Sequence, residues 1–323
     1  MSLQLRFGIV GTNFITDRMM DAFHRLDIPV AAVLSRTSAR AEDYARRYAI
    51  PMAFSDPSAF LSSGIDALYI ATPNLLHSEQ TDRALRAGIH VLCEKPVALT
   101  ASAFAASLEI AKERGLVLLE AMRSYYDPFV VRVRELLPRL GKIRRASFDF
   151  CQYSSRYDAF RAGEVKNAFT PALGNAALMD IGVYCLSLAV LFFGEPLDCV
   201  SRSVFLPNGM EGAGSAILAY PEHLVDIRYS KIADAVYPCY IQGEDGTLSF
   251  DHPVSPRVLT LYPRGGEEER IRLDTAENNM VYELAEFCRL VEDRASYAAH
   301  SERSLAVLRL IDAIRRENDI RFE

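Results

Sequence analysis

Over the first third of the chain, short β-branched runs alternate with segments whose apolar residues recur every three or four positions. Residues 5–10, 30–34, 67–71 and 90–93 read as strands. Between the first two, Ile15, Met19, Phe23 and Leu26 fall on one helix face, ready to pack on a sheet. Further helices fit residues 38–48, 77–87 and 101–114, the last two stopped by Gly88 and Gly115. This is the pattern of a parallel sheet wound with helices, and it stops near residue 122.

Beyond that point the period changes. One long apolar helix over about 176–193 is followed by strand-like runs at 201–206, 215–220, 224–230, 240–242, 247–250 and 258–262. Pro207-Asn208-Gly209 and Glu244-Asp245-Gly246 are turn signals between them, so the runs read as a mainly antiparallel open sheet with helices on one face. Two more helices, 280–293 and 302–317, finish the chain. The change of period divides the chain into two expected domains, 1–122 and 123–323. A sheet covered on one face leaves the other for a partner, and Leu218 and Tyr220 read as exposed apolar residues on it, so a homodimer or homotetramer through this sheet is expected.

Composition narrows the partners. The 323 residues are 50% hydrophobic and 24% charged, with Lys plus Arg at 36 against Asp plus Glu at 42, a net charge of -6. Such a chain is globular, and without a basic block it does not read as a nucleic-acid binder. Six scattered cysteines without a C-x-x-C pair read as buried hydrophobes of a reducing compartment. The N-terminus shows no leader pattern, and the apolar stretch 181–193 is short for a membrane span, so a cytoplasmic location is expected. The six histidines form no metal-binding pattern, and no nucleophile elbow or phosphate-loop signature occurs.

Small-molecule chemistry enters at Gly11-Thr12-Asn13-Phe14-Ile15-Thr16, which follows the first strand and opens a helix, where a phosphate-binding turn belongs. Only Gly11 of the three-glycine pattern is kept. Asn13 tolerates left-handed backbone and can keep the turn, while Thr16 either spaces helix from strand or caps the helix. The second strand ends in Ser35-Arg36, where an NAD site carries an acid. A hydroxyl followed by a guanidinium suits a 2'-phosphate, with Arg40 one turn on, which favours NADP(H) while leaving NAD(H) possible. A solvated helix face is the other reading of both arginines.

Residues 69–74 (Tyr-Ile-Ala-Thr-Pro-Asn) with His77, then Cys93-Glu94-Lys95-Pro96, then residues 174–184 (Gly-Asn-Ala-Ala-Leu-Met-Asp-Ile-Gly-Val-Tyr), resemble the Gfo/Idh/MocA family of NAD(P)-dependent oxidoreductases. In motif the chain is most similar to that family's dimeric dihydrodiol dehydrogenase-like subgroup. The resemblance implies that Lys95 is the catalytic lysine, with a cis peptide before Pro96, and that Asp180 and Tyr184 are the paired polar positions of the long helix. Thr72, Pro73, Asn74, His77 and Glu94 would join the cofactor-binding set, and Arg123, Tyr126, Arg161 and Asn167 are the substrate-contact candidates it implies. Spacing of four puts Asp180 and Tyr184 on one helix face, and an apolar helix does not bury such groups without partners. A structural Lys95–Asp180 ion pair beside a core tyrosine is the plainer alternative. Tyrosine, with a pKa of about 10, needs a cation to act as a base near neutrality, a role open to Lys95. Asp180 would orient Lys95 or the substrate hydroxyl. The reaction implied is hydride exchange between nicotinamide and a carbinol or carbonyl carbon of a sugar, cyclic polyol or vicinal diol. A non-catalytic dinucleotide-binding regulator and a structural subunit are the competing readings.

Overall fold

The computed structural model describes residues 5–295 and 297–322. The first part runs β1 (Phe7–Val10), α1 (Phe14–Arg25), β2 (Val30–Leu34), α2 (Ser38–Tyr48), β3 (Met52–Phe54), α3 (Pro57–Leu61), β4 (Ala67–Ile70), α4 (His77–Arg86), β5 (His90–Glu94), α5 (Ala101–Glu113) and β6 (Leu118–Ala121). Its six strands are all parallel, in the order β3-β2-β1-β4-β5-β6. That order reverses direction beside β1, and ligands of such sheets bind at the carboxyl edge of the switch point. β1 and β4 are buried along their whole length, as a sheet covered on both faces requires. β3 and β6 were not foreseen. β3 is three half-buried residues, and Glu120, a carboxylate within a buried strand, interrupts the apolar run of β6.

The second part continues α6 (Phe129–Leu136), β7 (Ile143–Cys151), α7 (Tyr157–Arg161), α8 (Val183–Phe193), β8 (Asp198–Phe205), β9 (Glu211–Ala219), β10 (Leu224–Ser230), β11 (Cys239–Gly243), β12 (Gly246–Phe250), β13 (Val258–Pro263) and β14 (Glu269–Arg272), and the chain closes with α9 (Met280–Glu292) and α10 (Tyr297–Asn318). Eight strands lie in the order β14-β13-β12-β11-β7-β10-β9-β8. All neighbours are antiparallel except β7 and β10. β7, the central strand, was unforeseen because Arg144 and Arg145 mask its start.

Two expectations change here. Leu218 and Tyr220 are buried, and the apolar side chains on the open face include Val200, Val204, Ile217 and Leu224. A strand has period two, so assigning the wrong parity moves every side chain to the other face. The apolar helical stretch is also longer than 181–193: it reaches 23 residues over Pro171–Phe193, enough to cross a membrane by length and composition, and 83% of its apolar 18-residue window is buried inside the protein. Burial on nearly every side of α8 marks it as a core helix.

The chain divides into two compact units, Met1–Arg123 with Ala276–Leu305, and Ser124–Thr275 with Ala306–Glu323. A single boundary near 122 therefore gives way to a first unit that also contains α9. The reason is packing within that unit: Phe287 of α9 lies 5.8 Å from the Phe7 ring, and Asn278 donates to Arg18 O at 2.7 Å and to Asp21 at 2.9 Å.

Candidate active site

In the first unit, the loops after β1, β4 and β5 are joined into one edge by hydrogen bonds. Gly11 adopts φ +103°, and a Cβ there would sit 2.3 Å from Ala71 O, so only glycine lets these two loops touch. Asn13 serves differently from the expectation. Its backbone is extended, not left-handed, and its side chain caps α1, accepting from Ile15 N at 2.9 Å and Thr16 N at 3.4 Å while donating to Ala71 O at 2.7 Å. Thr16 does not cap: it is buried and its hydroxyl has no partner among the described residues. Thr12 and Ser35 hydroxyls meet at 3.4 Å, linking the turn to the end of β2.

His77 bridges the other two loops. Its Nδ1 lies 2.8 Å from Pro96 O and its Nε2 2.9 Å from Thr72 O, and the ring is 1% exposed. Burial lowers its pKa against the pull of the two carbonyls. The Lys95-Pro96 peptide is cis, as the resemblance implies. Around that turn sit buried carboxylates. Glu94 accepts from Tyr69 OH at 2.7 Å and Lys95 N at 3.2 Å, and Glu120 accepts from Val97 N at 3.0 Å and Ser304 OH at 2.7 Å. Burial raises the pKa of both. Glu283 of α9 is fully buried, with no hydrogen-bond partner on either carboxylate oxygen among the described residues, and burial and the Glu94 charge push its pKa well up.

Thr72 donates to Gln80 at 2.6 Å, at the side of an apolar cleft lined by Val10, Leu34, Phe60 and Leu76, with Gln80 and Arg83 adding polar groups. Leu76 and Gln80 were not singled out beforehand, since a helix start gives no apolar signal of its own. Phe14, Arg36 and Arg40 are exposed, Ile15 is half-buried, and Pro73 and Asn74 open the one-turn 3-10 segment that leads into α4. The capped helix start, the glycine turn and the cleft fit a dinucleotide.

In the second unit, Asp180 and Tyr184 share one helix, but its first turn, Leu178–Gly182, is a π-turn rather than plain α-helix. Such turns cluster at functional sites. Here the turn is closely packed. The Tyr229 ring lies against Gly182, where a Cβ would come within 2.9 Å of it, and Gly214 makes room for the Tyr229 hydroxyl on the other side. Glu211, on β9, accepts the Leu178 N–H at 2.9 Å and the Ser203 hydroxyl at 3.4 Å. It is 1% exposed, and burial raises its pKa to about 7 against these hydrogen bonds. Within this unit the Lys231 ammonium meets the Asp180 carboxylate at 2.8 Å. Tyr184 is buried, its ring 5.9 Å from Phe150.

The substrate candidates divide. Arg123 is a half-buried residue of the first unit, in a short 3-10 turn, where its charge acts on Glu94 and Glu283. Tyr126 is half-buried in the second unit against Tyr125. Arg161 is exposed on α7 and engaged by Tyr153 at 3.4 Å and Asp158 at 3.6 Å. Asn167 is exposed, its carbonyl held by Asn175 Nδ2 at 2.6 Å. Glu211, Tyr229 and Lys231 were missed. Nothing in a strand pattern distinguishes a charged residue at a strand end that turns inward from one that faces water.

A nucleotide-binding sheet with a ligand edge, followed by a second unit built on a mainly antiparallel sheet, defines a class of two-part oxidoreductases. Residues 5–122 match the family model described as oxidoreductase family, NAD-binding Rossmann fold, and residues 130–249 match the GFO/IDH/MocA C-terminal domain. The chain belongs to the GFO/IDH/MocA oxidoreductase family. It is 39% identical to scyllo-inositol 2-dehydrogenase (NADP(+)) of Bacillus subtilis over 98% of each chain. To trans-1,2-dihydrobenzene-1,2-diol dehydrogenase of Mus musculus it is 28% identical, over 68% of this chain and 66% of that one. A 3-ketoreductase from Actinomadura kijaniata, solved with NADP and TDP-benzene, superposes with a TM-score of 0.88 at 25% identity over 98% of each chain.

Proposed function

We propose that this protein is an NADP(H)-linked dehydrogenase or reductase acting on a carbinol or carbonyl carbon of a cyclic polyol, sugar or vicinal diol, with Lys95, Asp180 and Tyr184 as its catalytic groups. The observation that carries the reading is the pair on the long helix. In an otherwise buried apolar helix, a carboxylate with 47% side-chain exposure is met by the buried Lys231 ammonium, a phenol stands four residues on, and buried Glu211 holds the Leu178 N–H at the start of the same turn. Structural packing alone has no use for that expense. When bound, the nicotinamide supplies or accepts the hydride. The protein's own part is to move the hydroxyl proton, through the Tyr184 hydroxyl, and to stabilise charge on the reacting oxygen with the Lys95 ammonium. Asp180 accepts a substrate hydroxyl and fixes its orientation. Arg36, exposed after β2 beside Ser35, supports a 2'-phosphate and hence NADP(H).

The test is fluorescence titration with NADPH and NADH, followed by absorbance assays over a panel of inositols, aldoses and trans-diols. Tighter NADPH binding with turnover of at least one polyol, sugar or diol is expected. Binding without turnover across the panel overturns the reading in favour of a regulator, and no binding in favour of a structural subunit. The apolar face formed by Val200, Val204, Ile217 and Leu224 supports a homo-oligomer through the second unit's sheet. A charged replacement at Ile217 should lower the mass measured by light scattering, and a monomeric starting protein would end that part of the proposal.

A further inference from the structure

Lys231 follows the last residue of β10 and turns inward. Its N–H donates to Gly212 O at 2.9 Å and its carbonyl accepts from Ser154 N at 2.9 Å, so the backbone on both sides of the side chain is fixed. The ammonium lies 2.8 Å from Asp180 Oδ2, donates to Ala168 O at 3.0 Å, and sits 5.1 Å from the centre of the Phe169 ring. We propose that Lys231 is a positioning residue for substrate: it holds the Asp180 carboxylate in one orientation and ties it to the segment around Asn167, so that a substrate hydroxyl meets a prepared acceptor. The inference rests on the oxidoreductase reading above.

The asymmetry of the pair carries the argument. The lysine side chain is 4% exposed and the aspartate 47%. Two exposed partners would hold each other weakly, because both lose side-chain freedom to meet. Two buried partners would be a core ion pair with nothing to offer a ligand. Here the long, flexible member is already immobilised by packing, so the pairing orders the shorter member, which still faces outward. The same ammonium takes the carbonyl of Ala168, next to Asn167, whose own carbonyl is held by Asn175. One cation therefore sets the positions of two stretches of chain that carry substrate-contact candidates, Asp180 and residues 167–169.

Lys231→Met keeps the length and apolar stem of the side chain and removes only its charge. With the folded state checked by circular dichroism, kcat/KM for the polyol should fall about tenfold to a hundredfold while NADPH affinity stays unchanged. Asp180→Asn should cause a similar loss, the double variant should be no worse than either single one, and Lys231→Arg should restore most of the activity. A Lys231→Met enzyme within about twofold of the parent, or losses that multiply in the double variant, overturns the proposal. If the parent protein turns over nothing on the panel, the functional reading fails, and a crystal structure of Lys231→Met decides the positioning claim by itself. Displacement of the Asp180 carboxylate and the Ala168 carbonyl upholds it, and unchanged positions overturn it.

Discussion

The two units build their chemical edges by opposite means. In the first unit, the edge is made of backbone: a glycine turn, a capped helix and carbonyls bridged by His77, all within loops that follow strands directly. In the second, a short stretch of helix is held by side chains about 30 to 50 residues later, Glu211 and Tyr229 on strands and Lys231 just after one. A backbone site leaves a contiguous trace in the sequence, whereas a site of buried charges leaves only single residues far apart. The difference also predicts how each fails, since backbone edges break by sterics and charge-held ones by loss of a partner or a proton.

The largest effect is expected at the second edge. Tyr184→Phe should lower turnover by about a hundredfold or more, with NADPH binding nearly intact, in paired steady-state and fluorescence measurements. If turnover hardly changes, the proton-transfer role passes to Asp180 or Lys95. Next comes Glu211, whose carboxyl stands at about 7 in the fold against an ordinary 4.5. A pKa raised by folding gives stability that is complete below the ordinary value and lost as pH rises through the folded one. Glu211 should therefore cost about 3 kcal/mol between pH 4.5 and 7 and above. Urea unfolding of Glu211→Gln against the parent isolates this contribution, because the buried carboxylates of the first unit are common to both. Equal pH slopes would remove it.

A matched pair of glycine changes sharpens the comparison. Gly11→Ala meets a backbone oxygen at positive φ, and Gly182→Ala meets the Tyr229 ring, each at a cost of about 1–3 kcal/mol. The first should weaken NADPH binding and spare a substrate-site probe, and the second should lower kcat and spare NADPH. Identical profiles for the two would erase the distinction between the edges. The smallest effect is at Arg36→Ala, which should weaken NADPH roughly tenfold more than NADH in titration, the size of one charge-assisted hydrogen bond. Equal affinity of the unmutated protein for the two cofactors would remove the 2'-phosphate argument.

What the sequence revealed follows the same division. The spans of β2, α2 and β10 were readable to the residue, because their hydrophobic periods are undisturbed and their ends are marked by turns. The turn at Gly11 and the Lys95-Pro96 loop were readable from contiguous motifs. Asn13 was placed correctly with the wrong mechanism, since residue type reports tolerance of a left-handed backbone and capping alike. Leu218 and Tyr220 were assigned to the wrong face because alternation fixes a period and not a phase. The π-turn, Glu211 and Lys231 depend on tertiary neighbours and had no local signal.

The return of α9 to the first unit bears on how this protein recombines. Phe7 and Phe287 are both completely buried and in contact, so a gene fragment ending near residue 122 encodes a sheet with its own covering helix left behind. Exchanging the nucleotide half with a relative by a single crossover would pair a sheet from one parent with a covering helix from the other. A working chimaera needs at least three crossovers, near 123, 275 and 305. The packing of the nucleotide-binding sheet in this chain is thus tied to a stretch of sequence more than 150 residues away from the turn motif that follows its first strand.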